Sequence, residues 1–509
     1  MKLANRVLAF LDDRYNQAFL VVLLMGILLR LKYFFMESIW NDASVHLWYA
    51  IKMFQKPAFI FTSEFLAQDY VIPQTITAIF YLFTQNVFIA GKFMALLYSM
   101  VGIIFMYLLG SELKDKLTGI VMAILFTFSS LFWFYSVRPL SDAPVTVMFV
   151  VVAYCVLKLE KEKTNVWATA MIATIFAAML TKMPAILLVV SLLIYAVVRY
   201  DVWLKDKVLR IAIFLMLTLL ILGNVVYYIL FRSLLISSFF KTLFSLGGMR
   251  AGFDILAYLP HLLSWYVIVL FLIGLILILL YRNKNYYYVL LTTLVFWLYF
   301  ELGIPGQDRY VLPLVPLTIA VAAFGLVEGA EILKSLLGKK IIRHIVIVLV
   351  VILICFNSYS YGTLLIDSKV DSYLGYQEAG AWVKDNVPEN AVVFVGSPRS
   401  MRAFAERETY NSYSELQEGG MINLRSDRYL DSKAIFENDL NLVIASGRDV
   451  YVEIDVWEYT QPGWYFPLTQ DSMNYFSSLG FVPAKLVERE VTTQSGIQNV
   501  PVIFILKYQ

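Results

Sequence analysis

The chain has 509 residues, 60% of them hydrophobic and 16% aromatic, with a formal net charge of +3. Soluble domains run about 45–50% apolar, so this composition, with a mean hydropathy of +0.70, belongs to an integral membrane protein of several spans. Basic residues scattered along the chain argue against a nucleic-acid partner, and two cysteines with three histidines leave no disulfide framework and no multi-histidine metal site.

The segment from Met1 to Arg14 is short and basic and runs into a full-length apolar stretch, which reads as an uncleaved first span. Apolar runs of about 17–25 residues fit a bilayer core about 30 Å thick. Eleven spans are expected near 17–36, 87–110, 117–135, 142–158, 165–181, 183–199, 210–231, 262–281, 287–303, 310–327 and 345–362. The shorter run at 71–86, which holds Pro73 near its start, is placed at the interface as a re-entrant or partly buried helix.

Charge orients this set. With the N-terminus cytoplasmic, alternate loops carry Lys114/Lys116, Lys158/Lys161/Lys163, Arg199/Lys205/Lys207/Arg210, Arg282/Lys284 and Lys334/Lys339/Lys340/Arg343. That is the positive-inside pattern, and an odd number of spans puts the tail after residue 362 outside. The outward loops then hold Glu37, Asp42, His46, Glu64 and Asp69, followed by the turn from Ser136 to Pro144 with Arg138 and Asp142. Lys182 turns a tight hairpin, and Asp308-Arg309 precedes a late span.

Several of these residues have a structural reading beside a chemical one. Asn41-Asp42-Ala43-Ser44 precedes an amphipathic stretch, Val45–Phe54, suited to an interfacial helix with Asp42 as its N-cap. Ionisable groups held beside a bilayer also tend to mark chemistry or transport, and a cap that fixes a carboxylate in space is compatible with a general base. Ser141 is expected to cap the helix that Asp142 and Pro144 begin, and Arg138 and Lys182 can snorkel to headgroups. Their convergence with Arg309 on one face would supply the cationic donors a phosphate needs. His46 is expected on the surface, and the stripes Tyr286–Tyr288 and Trp297/Tyr299 as interface belts. Acids among Glu64, Asp69 and Asp142 are candidates for a second catalytic acid or for oxygen ligands to a divalent cation.

From about residue 363 the composition becomes that of a soluble domain. The expected division is a transmembrane domain over 1–362 and an extracytoplasmic α/β domain over 363–509. A helix is expected over Tyr376–Lys384, and strands over Ala391–Val395, Asn441–Ala445, Asp449–Ile454, Ala484–Glu490 and Val500–Leu506.

The ordered motifs resemble those of the GT-C glycosyltransferases, and most nearly the protein O-mannosyltransferase and aminoarabinose-transferase branch, glycosyltransferase family 39. Asn41-Asp42-Ala-Ser-Val-His-Leu-Trp-Tyr49 is similar to the first-loop acidic motif, and Tyr70-Val-Ile-Pro73 sits where that branch has a Pro motif. The turn Arg138-Pro-Leu-Ser-Asp142-Ala-Pro144 resembles its Arg…Asp-x-Pro loop. Leu180-Thr-Lys182-Met-Pro184 and Arg309-Tyr310-Val-Leu-Pro313 resemble its LTK-x-P and RY-x-LP motifs. The resemblance implies a GT-C fold over roughly 1–330, a polyprenyl-phosphate-linked sugar as donor, Asp42 acting on the acceptor, and Arg138, Lys182 and Arg309 holding the lipid phosphate. Two departures are evident: Ala43 stands where members often have a second acid or Gly, and Val71-Ile72 where many have an acid and a Lys. The expectation is a multi-pass cell-membrane enzyme that transfers sugar to an extracytoplasmic protein, lipid or glycan. The alternative is a lipid or solute transporter without transferase activity, which would more typically show charged or broken helices near the bilayer midplane.

Overall fold

A computed structural model describes residues 12–36, 39–62, 71–231, 259–260, 263–303, 308–396, 398–410, 432–457, 466–493 and 496–509. By contacts these residues form two compact units. The first takes the described residues within 1–34, 60–76 and 92–367, and the second those within 35–59, 77–91 and 368–509.

The first unit is a helical bundle. It contains α1 (Arg14–Leu31), and the chain then passes through α2 (Asn41–Gln55) and α3 (Val71–Thr84) before α4 (Val87–Leu113). It continues with α5 (Lys116–Thr127), α6 (Ser130–Ser136), α7 (Asp142–Glu162), α8 (Asn165–Met179), α9 (Leu187–Val198) and α10 (Lys207–Phe231). The set closes with α11 (Trp265–Leu280), α12 (Tyr287–Gly303), α13 (Leu314–Leu337) and α14 (Lys340–Asp367). Each of the eleven expected apolar runs therefore contains a helix. Six of them are long and apolar enough to cross a membrane, and α5 with α6 makes a seventh if that pair, bent by 61°, is one span. Eleven full-length spans is thus more than length and composition support among the described residues. The shortening has local causes: Pro184 turns the start of the run at 183–199 into a 3₁₀ segment, Met183–Ile186, and the helix that follows keeps 12 residues.

The α5–α6 break is itself stabilised. A helix end leaves carbonyls without intrahelical donors, and Arg30, buried on α1, donates from Nη1 to the Thr127 carbonyl at 3.0 Å. Glycine sets another contact. A Cβ on Gly274 of α11 would lie 2.1 Å from the Val321 carbonyl oxygen, and one on Gly325 of α13 would lie 2.3 Å from that of Leu270. Small residues let membrane helices approach at backbone distance, and here they fix the α11–α13 crossing.

The bundle end that carries the basic loops is laced by ion pairs. Glu112 meets Lys158 at 3.2 Å and Lys161 at 3.1 Å, Arg199 meets Glu160 at 2.8 Å, and Lys114 meets Glu328 at 2.7 Å. The tyrosines expected as interface belts are partly core instead: Tyr286 and Tyr288 are fully buried, packed on Phe324 and Tyr195. Their rings fill the space between helices that aliphatic side chains would leave open.

In the second unit, α15 (Tyr376–Asn386), β1 (Val392–Val395), α16 (Pro398–Ala405), α17 (Ser432–Ala445), β2 (Val450–Asp455), α18 (Gln470–Ser478), β3 (Phe481–Thr493) and β4 (Gly496–Tyr508) form an α/β module. The sheet order is β1-β2-β4-β3. Strand β1 runs parallel to β2, with Val392 opposite Val450, and β2 and β3 both run antiparallel to β4. One face packs on α15 and α16 through Val393, Val395, Tyr451 and Ile505, and the other on α17 and α18 through Val392, Phe394, Val452 and Ile454. The expected strand Asn441–Ala445 is instead the end of α17. Its apolar residues Leu440 and Val443 recur at helical spacing with Phe436 and pack on the sheet.

Candidate functional site: a cationic cluster in the bundle

The turn between α6 and α7 is the centre of the cluster. Arg138 is fully buried, donates from Nη1 to the Phe134 carbonyl at 2.7 Å and lies with its guanidinium 4.2 Å from the Phe134 ring centroid. Burial pushes this guanidinium down to about 10, which leaves it charged at neutral pH. Asp142 opens α7, after Ser141 at the cap position and two residues before Pro144, a placement proline tolerates in a first helical turn. The Ser141 side chain makes no capping bond there.

Lys182 reaches this turn from the α8–α9 hairpin. Its Nζ sits 2.5 Å from Asp142 Oδ1, with the side chains 14% and 4% exposed, so the pair is a buried salt bridge. The same ammonium lies 5.7 Å from the Tyr310 ring centroid, and the Arg309 guanidinium lies 5.3 Å from that ring. Tyr310 in turn stacks on Phe300 of α12. Asp308, next to Arg309, accepts a 2.7 Å hydrogen bond from Tyr135 Oη, and Tyr135 belongs to the helix that ends just before Arg138. Adjacent Asp308 and Arg309 thus serve different neighbours. Arg138, Asp142, Lys182 and Arg309, selected from the sequence, are brought together.

The structure adds Lys92, Tyr135 and Asp308 to these. Lys92 of α4 is buried, donates to the Val137 carbonyl at 2.8 Å, and lies within electrostatic reach of Arg138. The signal for it was present in the sequence: a lone lysine inside an apolar run, which membrane energetics makes costly and therefore informative.

Asp42 belongs to the second unit. It is not the N-cap expected of it. Trp40 holds that position, with φ −75° and ψ 153°, and Asp42 lies in the first turn of α2. There the half-buried residue stands at the positive end of the helix dipole. The following Ala43 and Ser44 are fully buried, and His46, expected on the surface, is only 3% exposed because α2 is packed nearly all round. Glu64 and Asp69 lie outside the described residues. Among the described residues no three of His, Cys, Asp or Glu gather so as to hold a metal ion, and the divalent cation raised by the sequence finds no ligand set there.

An apolar cleft of about 550 Å³ opens in the first unit between α11, α12 and α13. Ile268, Phe271, Leu275 and Leu279 form one stripe along α11, facing Leu290, Leu294 and Trp297 of α12. At α13 the lining begins with Leu314, close in the chain to Arg309 and Tyr310.

A family described as dolichyl-phosphate-mannose-protein mannosyltransferase matches residues 70–227. The chain is also similar to the crystal structure of ArnT from Cupriavidus metallidurans in the apo state, with a TM-score of 0.64 and 12% identity over 99% of this chain and 98% of that one. The chain has the GT-C fold. The undecaprenyl phosphate-bound form of the same ArnT gives a TM-score of 0.62 and 12% identity over 96% of this chain and 97% of that one. The apo oligosaccharyltransferase of Archaeoglobus fulgidus gives 0.61 and 11% over 96% of this chain and 74% of its own. No curated protein sequence matches.

Proposed function

We propose that this GT-C chain is a membrane glycosyltransferase that moves a sugar from a polyprenyl-phosphate-linked donor to an extracytoplasmic acceptor. The observation that carries the reading is the gathering of Lys92, Arg138, Lys182 and Arg309 about the α6–α7 turn, where Asp142 pairs with Lys182 and Asp308 accepts from Tyr135. A phosphodiester is a ligand that suits such a gathering of cationic donors. The nearby apolar cleft suits an isoprenoid tail, and the ArnT neighbour was crystallised with undecaprenyl phosphate.

In this reading Arg138, Lys182 and Arg309 take the donor phosphate, and Lys92 adds charge behind Arg138. The acceptor hydroxyl or amine attacks the anomeric carbon, the bond from that carbon to the phosphate oxygen breaks, and polyprenyl phosphate leaves with the electron pair. Asp42 takes the acceptor proton. Cations aimed at the departing phosphate act where charge develops, each well-placed donor contributing about 2.7–4 kcal/mol. A phosphate leaves as a stable anion, so no protonating acid is required and the absent acid before Pro73 is not fatal. One carboxylate acting as base fits inversion at the anomeric carbon, by analogy with inverting glycosidases.

The proposed topology places the N-terminus in the cytoplasm and residues 363–509 outside a cell membrane, following the charge alternation of the loops. The test is transfer from labelled polyprenyl-phosphate sugars in membranes, comparing wild type with Asp42→Asn at equal expression. Loss of transfer with donor binding retained is expected. Equal transfer by both proteins would remove Asp42 from the chemistry, and a chain that moves lipid across the bilayer without transferring sugar would be a transporter.

A further inference from the structure

The helix that carries Asp42 is built into the C-terminal module. We infer that the module is the mount of α2, with Trp40, Ser400, Arg402 and Glu408 acting as positioning residues for Asp42; this rests on the proposed role of Asp42 as base.

Three attachments support it, all within one compact unit. Trp40, two residues before Asp42, packs against the module core formed by Tyr373, Tyr376, Val395 and Ile503. Ser44, two residues after Asp42, donates from Oγ to Ser400 Oγ of α16 at 3.3 Å, and both residues are buried. Farther along, Lys52 Nζ meets Glu408 Oε1 at 2.9 Å, while Arg402 Nε holds the other carboxylate oxygen at 3.1 Å. Eight residues separate Ser44 from Lys52, about 12 Å of helix, so the attachments fix the helix in rotation as well as in place.

The turn that makes these contacts is itself anchored. Arg407 donates to the carbonyls of Val387, Pro388, Glu389 and Ala391, each at 2.9 Å. Glu406 pairs with Lys384 at 2.9 Å and bonds the hydroxyl of Tyr81 on α3. Glu406-Arg407-Glu408 therefore ties the sheet side of the module to Lys52 of α2 and Tyr81 of α3. A 15-residue helix is marginal on its own in water. Its orientation must come from what it packs on, and a misplacement of about 1 Å can cost about 10²-fold in rate.

The test uses the full chain with its two native cysteines replaced. Ser44→Cys with Ser400→Cys is oxidised in membranes, and the linked peptides are identified by mass spectrometry. A disulfide is expected; its absence from the folded protein overturns the mount. Trp40→Ala is expected to lower kcat at least 10-fold with the donor KM unchanged, while Trp40→Phe keeps most of the turnover. Adding Trp40→Ala to the Ser44→Cys, Ser400→Cys chain and closing the 44–400 disulfide should recover kcat, and reductant should abolish the recovery. Full turnover by Trp40→Ala, or a closed disulfide that recovers nothing, overturns the positioning role. If Asp42→Asn turns over normally while the disulfide forms and rescues Trp40→Ala, the base reading fails and the mount stands.

Discussion

Replacing Lys182 separates the structural from the functional side of its pair with Asp142. At 2.5 Å, with side chains 14% and 4% exposed, the attraction at an effective dielectric near 20 is roughly 7 kcal/mol. Desolvating each ion costs several kcal/mol, so the net stabilisation is small. Removing one partner is another matter. Lys182→Met strands a buried carboxylate and is expected to destabilise the bundle by about 3–5 kcal/mol, whereas Lys182→Met with Asp142→Leu recovers most of that loss. Transfer should not follow stability. If Lys182 holds the donor phosphate, both variants lose about 10²–10³ in kcat, and Lys182→Arg, which keeps a cation, loses less. The assay is thermal unfolding in detergent beside single-turnover transfer from a labelled donor. A double variant that regains stability and transfer together refutes the phosphate role, and a Lys182→Met chain as stable as wild type refutes the buried-pair argument.

Tyr135→Phe removes the 2.7 Å bond to Asp308; a bond to a charged acceptor contributes about 1.5–3 kcal/mol, and kcat is expected to fall as the Arg309 turn loosens. Transfer kinetics identical to wild type would deny that bond a role. Gly274→Val drives a side chain into the Val321 carbonyl, with an expected loss of about 1–3 kcal/mol from overpacking, read as a lower unfolding temperature; no change would mean the α11–α13 crossing yields freely. In the module, hydrogen bonds from Lys485 and then Arg489 hold the Glu378 carboxyl below the usual carboxylate range. Its contribution is therefore present above the unfolded value of about 4.3 and is lost as pH falls through the lower folded value. With 42% of that side chain exposed the effect is small, and Glu378→Gln should flatten the acid limb of melting temperature against pH. An unaltered limb counts against it.

The parts of the fold legible in the sequence were those where one residue pattern has one physical meaning. Runs such as Val87–Leu113 can be satisfied in a bilayer only as helix, and Ala391–Val395, bounded by a Pro-Glu-Asn turn and Gly396, could hardly be other than a buried strand. The strand expected over Asn441–Ala445 is helix because a short apolar run looks alike in a buried strand and in the last turns of a helix, until Phe436 is included in the window. Within the cluster, Arg138, Lys182 and Arg309 were visible because they stand near helix ends in short turns that contain prolines. Lys92 was hidden inside an apolar run where only its cost announced it. The attachments of α2 were not legible at all, since Ser44 and Ser400 lie 356 positions apart and neither residue type predicts the other. Asp42 was found as an acid but misplaced by two positions, because Trp40 takes the cap with its backbone alone.

The pairing of the cluster bears on how it would catalyse. Lys182 already has Asp142, and Lys92 and Arg138 already donate to carbonyls, so an arriving phosphate competes with partners instead of filling a bare cationic site. Competition weakens ground-state binding. As the bond to the anomeric carbon breaks, charge on the phosphate oxygens grows, while the carboxylate of Asp142 stays as it was. The balance at Lys182 then moves towards phosphate at the point where it lowers the barrier, and only interactions that strengthen on the way to the transition state raise kcat. In the proposed mechanism Asp142 is thus more than a structural counter-ion: it keeps Lys182 ordered when the donor is absent, and it keeps that lysine from binding the intact donor too tightly to let it react.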